Sequence, residues 1–390
     1  MPAWTLADAQ SLLSAIERSG IRGLNPADYD PAGLRATMAN GVGEALNLAA
    51  GNAFKLLVAD VRDGRTPAAA RLQWLVKDSD AEAFPTDTLM RQALATHDVE
   101  AVLASVDPTD PEYAALAAAL VKTPVSSVAQ RKLIRVNMDR WRWLPHSLGV
   151  KHVIANVPEY MLRVVTYGKT ISTNKVIVGK MDTQTPSLMA DATAIVVHPP
   201  WTIPRSLIRQ EVGPMIARSP AAARARGYTW TGSGPTLSVV QQPGPHAALG
   251  FLKVDLPNPD AIFIHDTPNR GLFTSYPRAF SHGCLRVDRA LELGMILGAL
   301  QGGGSVDDLV VLIKEGKTKR VPFKENLPVI IGYFTYATGI DGKLQSMPDI
   351  YGRDVPILAS LDQPRPAPVP LKPKVPVPPV LPTTDVTVLR

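Results

Sequence analysis

A single cysteine among 390 residues denies this chain any internal disulfide, so its fold must be held by hydrophobic packing. The material is sufficient: 45% of the residues are hydrophobic, in a length that ordinarily holds two domains or more. The same cysteine carries the most chemical content. It sits in Ser281-His282-Gly283-Cys284-Leu285-Arg286, between an imidazole, a flexible glycine and a guanidinium. Protonatable and cationic neighbours favour thiolate over thiol, and thiolate is the nucleophile. A buried packing cysteine is the plain alternative, but packing has no use for such neighbours. Gly283 permits a tight turn, so the amides of Gly283 and Cys284 can point at a developing oxyanion. A second histidine, His265, ends the apolar run Ala261-Ile262-Phe263-Ile264.

The hydrophobic period divides the chain. Residues 5 to about 125 read as helical. Thr5 caps a first helix, Leu6, Leu12, Leu13 and Ile16 follow at helical spacing, and Gly20 suits its end. Ala-rich stretches at 44–59, 90–105 and 113–122 continue the pattern, and no catalytic constellation interrupts it. From about 150 the period moves towards two. Val153, Ala155 and Val157 share one face, as do Leu162, Val164 and Thr166, and Tyr167-Gly168-Lys169 reads as a hairpin turn. Residues 201 to about 250 break the strand pattern with prolines, short helical pieces and a glycine- and proline-rich mobile stretch; a loop this long inside a compact domain is functional or disordered. Beyond about 361 prolines dominate, and such a segment favours extended polyproline conformations.

The net charge of +6 is modest for this length. No basic stripe with interleaved aromatics is present, which argues against a nucleic-acid partner. Lys317-Thr318-Lys319-Arg320 reads as a solvated turn. No run of about 18 apolar residues marks a transmembrane helix. Seven histidines show no zinc-ligand spacing and one cysteine cannot build a Cys-rich site, so neither metal nor cofactor is expected.

His265, the spacing that follows it and Ser281-His282-Gly283-Cys284-Leu285-Arg286 together resemble the active-site signature of the L,D-transpeptidases, the cysteine enzymes of bacterial peptidoglycan. Asn137-Met138-Asp139-Arg140-Trp141-Arg142-Trp143-Leu144-Pro145, Val178-Gly179-Lys180, Thr185-Pro186, Pro200-Trp201-Thr202-Ile203-Pro204-Arg205-Ser206, Gln242-Pro243-Gly244-Pro245 and Asp349-Ile350-Tyr351-Gly352-Arg353-Asp354 resemble the large, lid-bearing branch of that family. The resemblance covers roughly residues 130 to 355. It implies an α+β protein: a helical scaffold domain at 1–130, a β-rich, β-sandwich-like catalytic domain at 131–355 with an inserted lid at about 201–250, and a Pro-rich, disordered tail at 356–390. One departure stands out. His246-Ala247-Ala248 occupies the place where the branch is expected to carry an asparagine after the Gly-Pro pair, which leaves one lid contact without its amide.

The resemblance makes Cys284 the nucleophile, His282 the general base, Gly283 part of the oxyanion turn, and places His265 in the same pocket. Ser281, Arg286 and Trp201 form the expected substrate-contacting set, although Ser281 also suits a local hydrogen bond and Arg286 can brace the loop instead. The implied reaction joins peptidoglycan stem peptides: a donor tetrapeptide loses D-alanine to Cys284, and an amine of an acceptor stem resolves the thioester into a 3→3 cross-link. Resolution by water (an L,D-carboxypeptidase) or by a protein amine (anchoring an outer-membrane protein to the wall) uses the same residues, and a non-catalytic wall-binding scaffold is the further alternative. Carbapenem β-lactams are the implied inhibitors. The resemblance implies an exported, periplasmic enzyme, and because Met1-Pro2-Ala3-Trp4 leads directly into the helical pattern, a chain without its leader is expected.

Overall fold

The computed structural model describes residues 3–365; most of the Pro-rich stretch lies outside them. The amino-terminal third is helical. Helix Leu6–Arg18 opens with a capping box in which the Thr5 side chain accepts the Asp8 amide and Asp8 reaches back to Thr5. Its buried stripe of Leu12, Leu13 and Ile16 shares a core with Phe54, Leu57 and Val61 of helix Glu44–Asp63 and with Leu89 and Leu103 from helices Thr86–Thr96 and Val99–Ala104. The α-helix stops at Arg18, two residues before Gly20. A 3₁₀ turn carries the chain to Gly23, whose φ of +76° is the left-handed position a helix end requires.

From Lys151 the chain is β-rich. In order come β1 (Lys151–Asn156), β2 (Met161–Thr166), β3 (Lys169–Gly179), β4 (Leu188–Val197), β5 (Trp201–Thr202), β6 (Tyr228–Thr231), β7 (Ser238–Gln241), β8 (Leu252–Asp255), β9 (Ile264–His265), β10 (Ala279–Ser281), β11 (Leu285–Val287), β12 (Lys319–Gly332), β13 (Tyr336–Thr338) and β14 (Leu344–Ser346). Nine strands form one sheet in the order β10-β3-β11-β9-β8-β4-β12-β1-β2, and β2 also pairs with β3, so the sheet curls and closes on itself. Its two halves face each other across a core that includes Val153, Leu162, Val176, Ile195, Val254, Leu285 and Val329, packed by Leu293 and Leu297 of helix Ala290–Gln301. The four-residue basic stretch is exposed, as expected, but its last two residues already belong to β12, where Lys319 pairs with Val197.

The interruption between β4 and β8 is not an irregular loop. It folds as a small subdomain with its own sheet, β5-β7-β6, and a helical segment from Arg205 to Arg218. Ile203, Leu207, Ile208, Val212, Ile216 and Val239 form a core of its own, enough apolar burial to order a stretch whose glycines and prolines suggest mobility.

Helix Val128–Trp141 joins the two regions. Trp141 stacks on Phe334 at 4.8 Å and Trp143 meets Trp74 edge-on at 5.1 Å, so both tryptophans anchor the junction. The tail begins later than residue 356. Asp354–Asp362 is a helix, and Ile357 and Leu361 are buried against Val136 and Trp143. The remainder of the tail expected at 356–390, residues 366–390, lies outside the described residues.

Candidate active site

Cys284 sits between β10 and β11 on a turn held from both sides. In front, the Ser281 hydroxyl accepts the Gly283 amide at 3.1 Å and donates to the Cys284 carbonyl at 2.6 Å. Gly283 adopts a φ of +115°, so this position is restricted to glycine by conformation; a Cβ there would also lie a tight 3.2 Å from the Ile262 Cδ1 methyl. Behind, the Thr185 hydroxyl donates to the Gly283 carbonyl at 2.7 Å and accepts the Gly179 amide at 2.8 Å. The Tyr351 hydroxyl donates to the Gly179 carbonyl at 2.6 Å and accepts the Thr185 amide at 3.3 Å. Arg353 clamps the Thr185 carbonyl at 2.9 Å and Gln184 Oε1 at 3.0 Å. Motifs more than 150 residues apart thus converge on one turn.

The half-buried thiol donates to the Ala261 carbonyl at 3.6 Å. Burial pushes its pKa up to about 11, opposed in part by a hydrogen bond from the Phe263 backbone and by the charges of Lys253 and Arg286. At neutral pH this resting state therefore holds a thiol.

His265 lies on β9, opposite Arg286 of β11 and Lys253 of β8. Its Nδ1 is 2.5 Å from the Asp266 carbonyl. A carbonyl only accepts, so Nδ1 carries the proton and Nε2 presents its lone pair. Burial pushes the ring's pKa down to about 3, with Arg286 and Lys253 adding to the shift, which keeps the imidazole neutral. Asp266 is itself fixed, accepting the Phe251 amide at 2.8 Å and the Thr267 amide at 2.7 Å and pairing with Arg270 at 2.6 Å.

His282 is placed differently from the sequence expectation. Its Nε2 lies 2.8 Å from Glu211 Oε1 on the lid helix, and no hydrogen bond to Cys284 occurs among the described residues. The Gly283 backbone breaks the alternation that would set residues 282 and 284 on one face. Arg286 is half-buried, acts electrostatically on both Cys284 and His265, and has no ion pair or side-chain hydrogen bond among the described residues. Trp201 lies in β5 and packs on the lid's own core. Sequence reasoning used Thr185 and Tyr351 only as branch markers and gave Glu211 and Lys253 no part; nothing local to Glu211 signals its contact.

Residues 150–294 match the model of the L,D-transpeptidase catalytic domain, and residues 1–120 match that of a Scaffold domain. A putative L,D-transpeptidase from Haemophilus influenzae is 31% identical over 245 residues, 59% of this chain and 49% of that protein, so the chain spans about half the length of that curated relative. Among solved structures, an L,D-transpeptidase from Mycobacterium smegmatis aligns at 13% identity over 47% of this chain and 58% of its own, with a TM-score of 0.25. L,D-transpeptidase 3 from Mycobacterium tuberculosis aligns at 10% identity over 47% of this chain and 60% of its own, also with a TM-score of 0.25. The chain thus joins a match to the L,D-transpeptidase catalytic domain at 150–294 to a match to a Scaffold domain at 1–120.

Proposed function

We propose that this protein is a periplasmic enzyme that forms 3→3 cross-links between peptidoglycan stem peptides through a thioester on Cys284. The observation that carries the reading is the only thiol of the chain, held on a glycine turn that Ser281 and Thr185 fix from opposite sides. Cys284 Sγ attacks the carbonyl that precedes the terminal D-alanine. Of the two histidines we assign the base to His265, because its tautomer is set by the Asp266 carbonyl and its Nε2 has no hydrogen-bond partner among the described residues. The proton taken from sulfur passes to the departing D-alanine amine. The Gly283 amide is occupied by Ser281, which leaves the Cys284 amide, unpartnered among the described residues, as the donor for the oxyanion. A second stem's amine then displaces the sulfur. A lid whose helix contacts His282 favours an amine over water at that step, because a covered thioester is screened from bulk solvent.

The test is intact-protein mass after incubation with a carbapenem, which mimics the acyl donor, followed by muropeptide analysis of sacculi. The wild type should gain one acyl mass and Cys284→Ala none, and dimeric 3→3 muropeptides should accumulate only with the wild type. An adduct on Cys284→Ala, or tripeptides as the only new muropeptide, would overturn the assignment.

A further inference from the structure

The charges around Cys284 are arranged on two sides. On the sheet side, Arg286 and Lys253 flank His265, and both act on the Cys284 sulfur. Arg286 has no carboxylate partner among the described residues, and the nearest to Lys253 is Asp255, at 3.8 Å. Lys253 is held over the Phe263 ring at 4.5 Å. This side suits the carboxylates of a donor stem and repels an ammonium. An acceptor amine, however, reaches the thioester as an ammonium at neutral pH.

On the lid side a single carboxylate faces the nucleophile loop, in a lid that also carries Arg205, Arg209, Arg218, Arg224 and Arg226. Glu211 meets His282 at 2.8 Å, its side chain is 54% exposed, and no Lys or Arg pairs with it among the described residues. The backbone around Glu211 is also unusual. Ile208–Val212 forms a π turn inside the lid helix, closed by the Gly213 amide on the Ile208 carbonyl. A Cβ on Gly213 would lie 2.5 Å from that carbonyl oxygen, so the turn depends on glycine at this position. Such turns are rare and concentrate at functional sites. Here Ile208 and Val212 stay in the lid core while Glu211 reaches the nucleophile loop.

We infer that the Glu211–His282 pair binds the ammonium of the acceptor amine and takes its first proton, an assignment that rests on the transpeptidation proposed above. The reaction loses two protons from the acceptor nitrogen. The first passes to the pair and on to solvent, giving the neutral amine. The nitrogen then bonds to the thioester carbon, the C–S bond breaks, and the second proton ends on the Cys284 sulfur.

The experiment compares the full chain, Glu211→Gln and Glu211→Asp with a synthetic stem tetrapeptide ending in D-alanine as donor. Thioester formation on Cys284 is read by intact mass in a single turnover. Partition of the thioester between amine and water is read at graded concentrations of two acceptors: a stem amine, and hydroxylamine, which is neutral at pH 7 and needs no deprotonation. Glu211→Gln should raise the stem-amine concentration for half-partition at least about tenfold, as loss of a positioned base predicts. Partition to hydroxylamine should stay within about threefold of the wild type, and Glu211→Asp should restore most of the stem-amine partition. Equal losses with both acceptors would show that Glu211 only holds the lid shut, and unchanged stem-amine partition would show that it has no part in acceptor capture; either result overturns the inference. If the wild type forms no thioester, the proposed function falls and this inference falls with it.

Discussion

The strongest test of how the nucleophile is positioned is Thr185→Val. The substitution keeps the shape of the side chain and removes one hydroxyl. Thr185 is fully buried, and that hydroxyl satisfies the Gly179 amide at 2.8 Å and the Gly283 carbonyl at 2.7 Å. Valine leaves both groups without a partner, and each unsatisfied buried group costs about 1–3 kcal/mol, so the loss is roughly 2–6 kcal/mol. At about 2–4 °C per kcal/mol for a domain of this size, the catalytic domain should melt roughly 5–20 °C lower. Thr185→Ser keeps the hydroxyl, gives up one methyl, and should lose only about 1 kcal/mol. The functional consequence is separable, since the Gly283 carbonyl is one of the anchors of the Cys284 turn. Carbapenem acylation of the folded Val variant, measured well below its transition, should slow by about tenfold or more, the scale of a small misplacement of a reacting group. Thermal melts and time-resolved intact mass provide the two readouts. A Val variant that melts within about 1 °C of the wild type and acylates at the same rate would show that the network behind the turn is incidental.

Three further outcomes follow from the same geometry. His265→Gln should slow acylation of Cys284 by about 10²–10⁴-fold, while His282→Ala should slow it less than about tenfold; the reverse order in stopped-flow acylation would return the role of base to His282. Alkylation of resting Cys284 by iodoacetamide should climb steadily with pH between 7 and 10, because the thiol ionises only near 11, and a plateau below pH 8 would mean that the thiolate is already held. Truncation after Leu361 removes Asp362, which pairs with Lys132 at 2.7 Å and Arg135 at 3.1 Å, and also removes Arg365, which pairs with Asp60. It should therefore melt a few degrees below truncation after Arg365, and equal melting temperatures would show that these exposed and half-buried pairs contribute nothing.

The parts of this protein legible in its sequence are those where the controlling interactions are local or repeated. The capping box of Thr5 and Asp8, the helical stripe of Leu12, Leu13 and Ile16, and the alternation along β1 and β2 each declare themselves within a few residues. So does the motif around Cys284, because the Ser281–Gly283–Cys284 bonds lie within a four-residue turn. The lid's helical pieces were legible, but its strands were not, for a physical reason: β6 and β7 are four residues each, and the order of the subdomain comes from apolar contacts between Ile203, Val212, Ile216 and Val239 that no short window contains. The direction of His282 was equally hidden. It depends on the Gly283 backbone and on a carboxylate 71 positions earlier, presented by a π turn that side-chain periodicity does not encode.

The motifs that served in the sequence only as family markers acquire a mechanical sense from their contacts. Asp139 accepts the amides of Arg65 and Thr66 at 2.8 and 3.0 Å, so the helix Val128–Trp141 is tied to the segment that follows helix Glu44–Asp63 of the helical region. On the same helix, Asn137 and Arg140 both reach the Thr335 hydroxyl, at 3.1 and 3.2 Å, and Arg140 pairs with Asp354 at 2.6 Å. Asp349 accepts the Tyr333 hydroxyl at 2.6 Å, and that hydroxyl in turn accepts the Tyr351 amide at 2.8 Å. Tyr351 and Arg353 then grip Thr185, which holds Gly283. A continuous run of buried polar contacts therefore leads from the seat of the helical region to the carbonyl beside the nucleophile. Arg140 Nη2 and Arg353 Nε and Nη1 are already buried without a hydrogen-bond partner among the described residues, and a shift at one end would leave further donors or acceptors unpaired along the run. The scaffold is in this sense part of the framework that fixes Cys284. The aromatic and charged residues of the 137–145 motif serve that framework: Trp141, Trp143, Asp139 and Arg140 are all at most 4% exposed, which places them out of reach of any substrate.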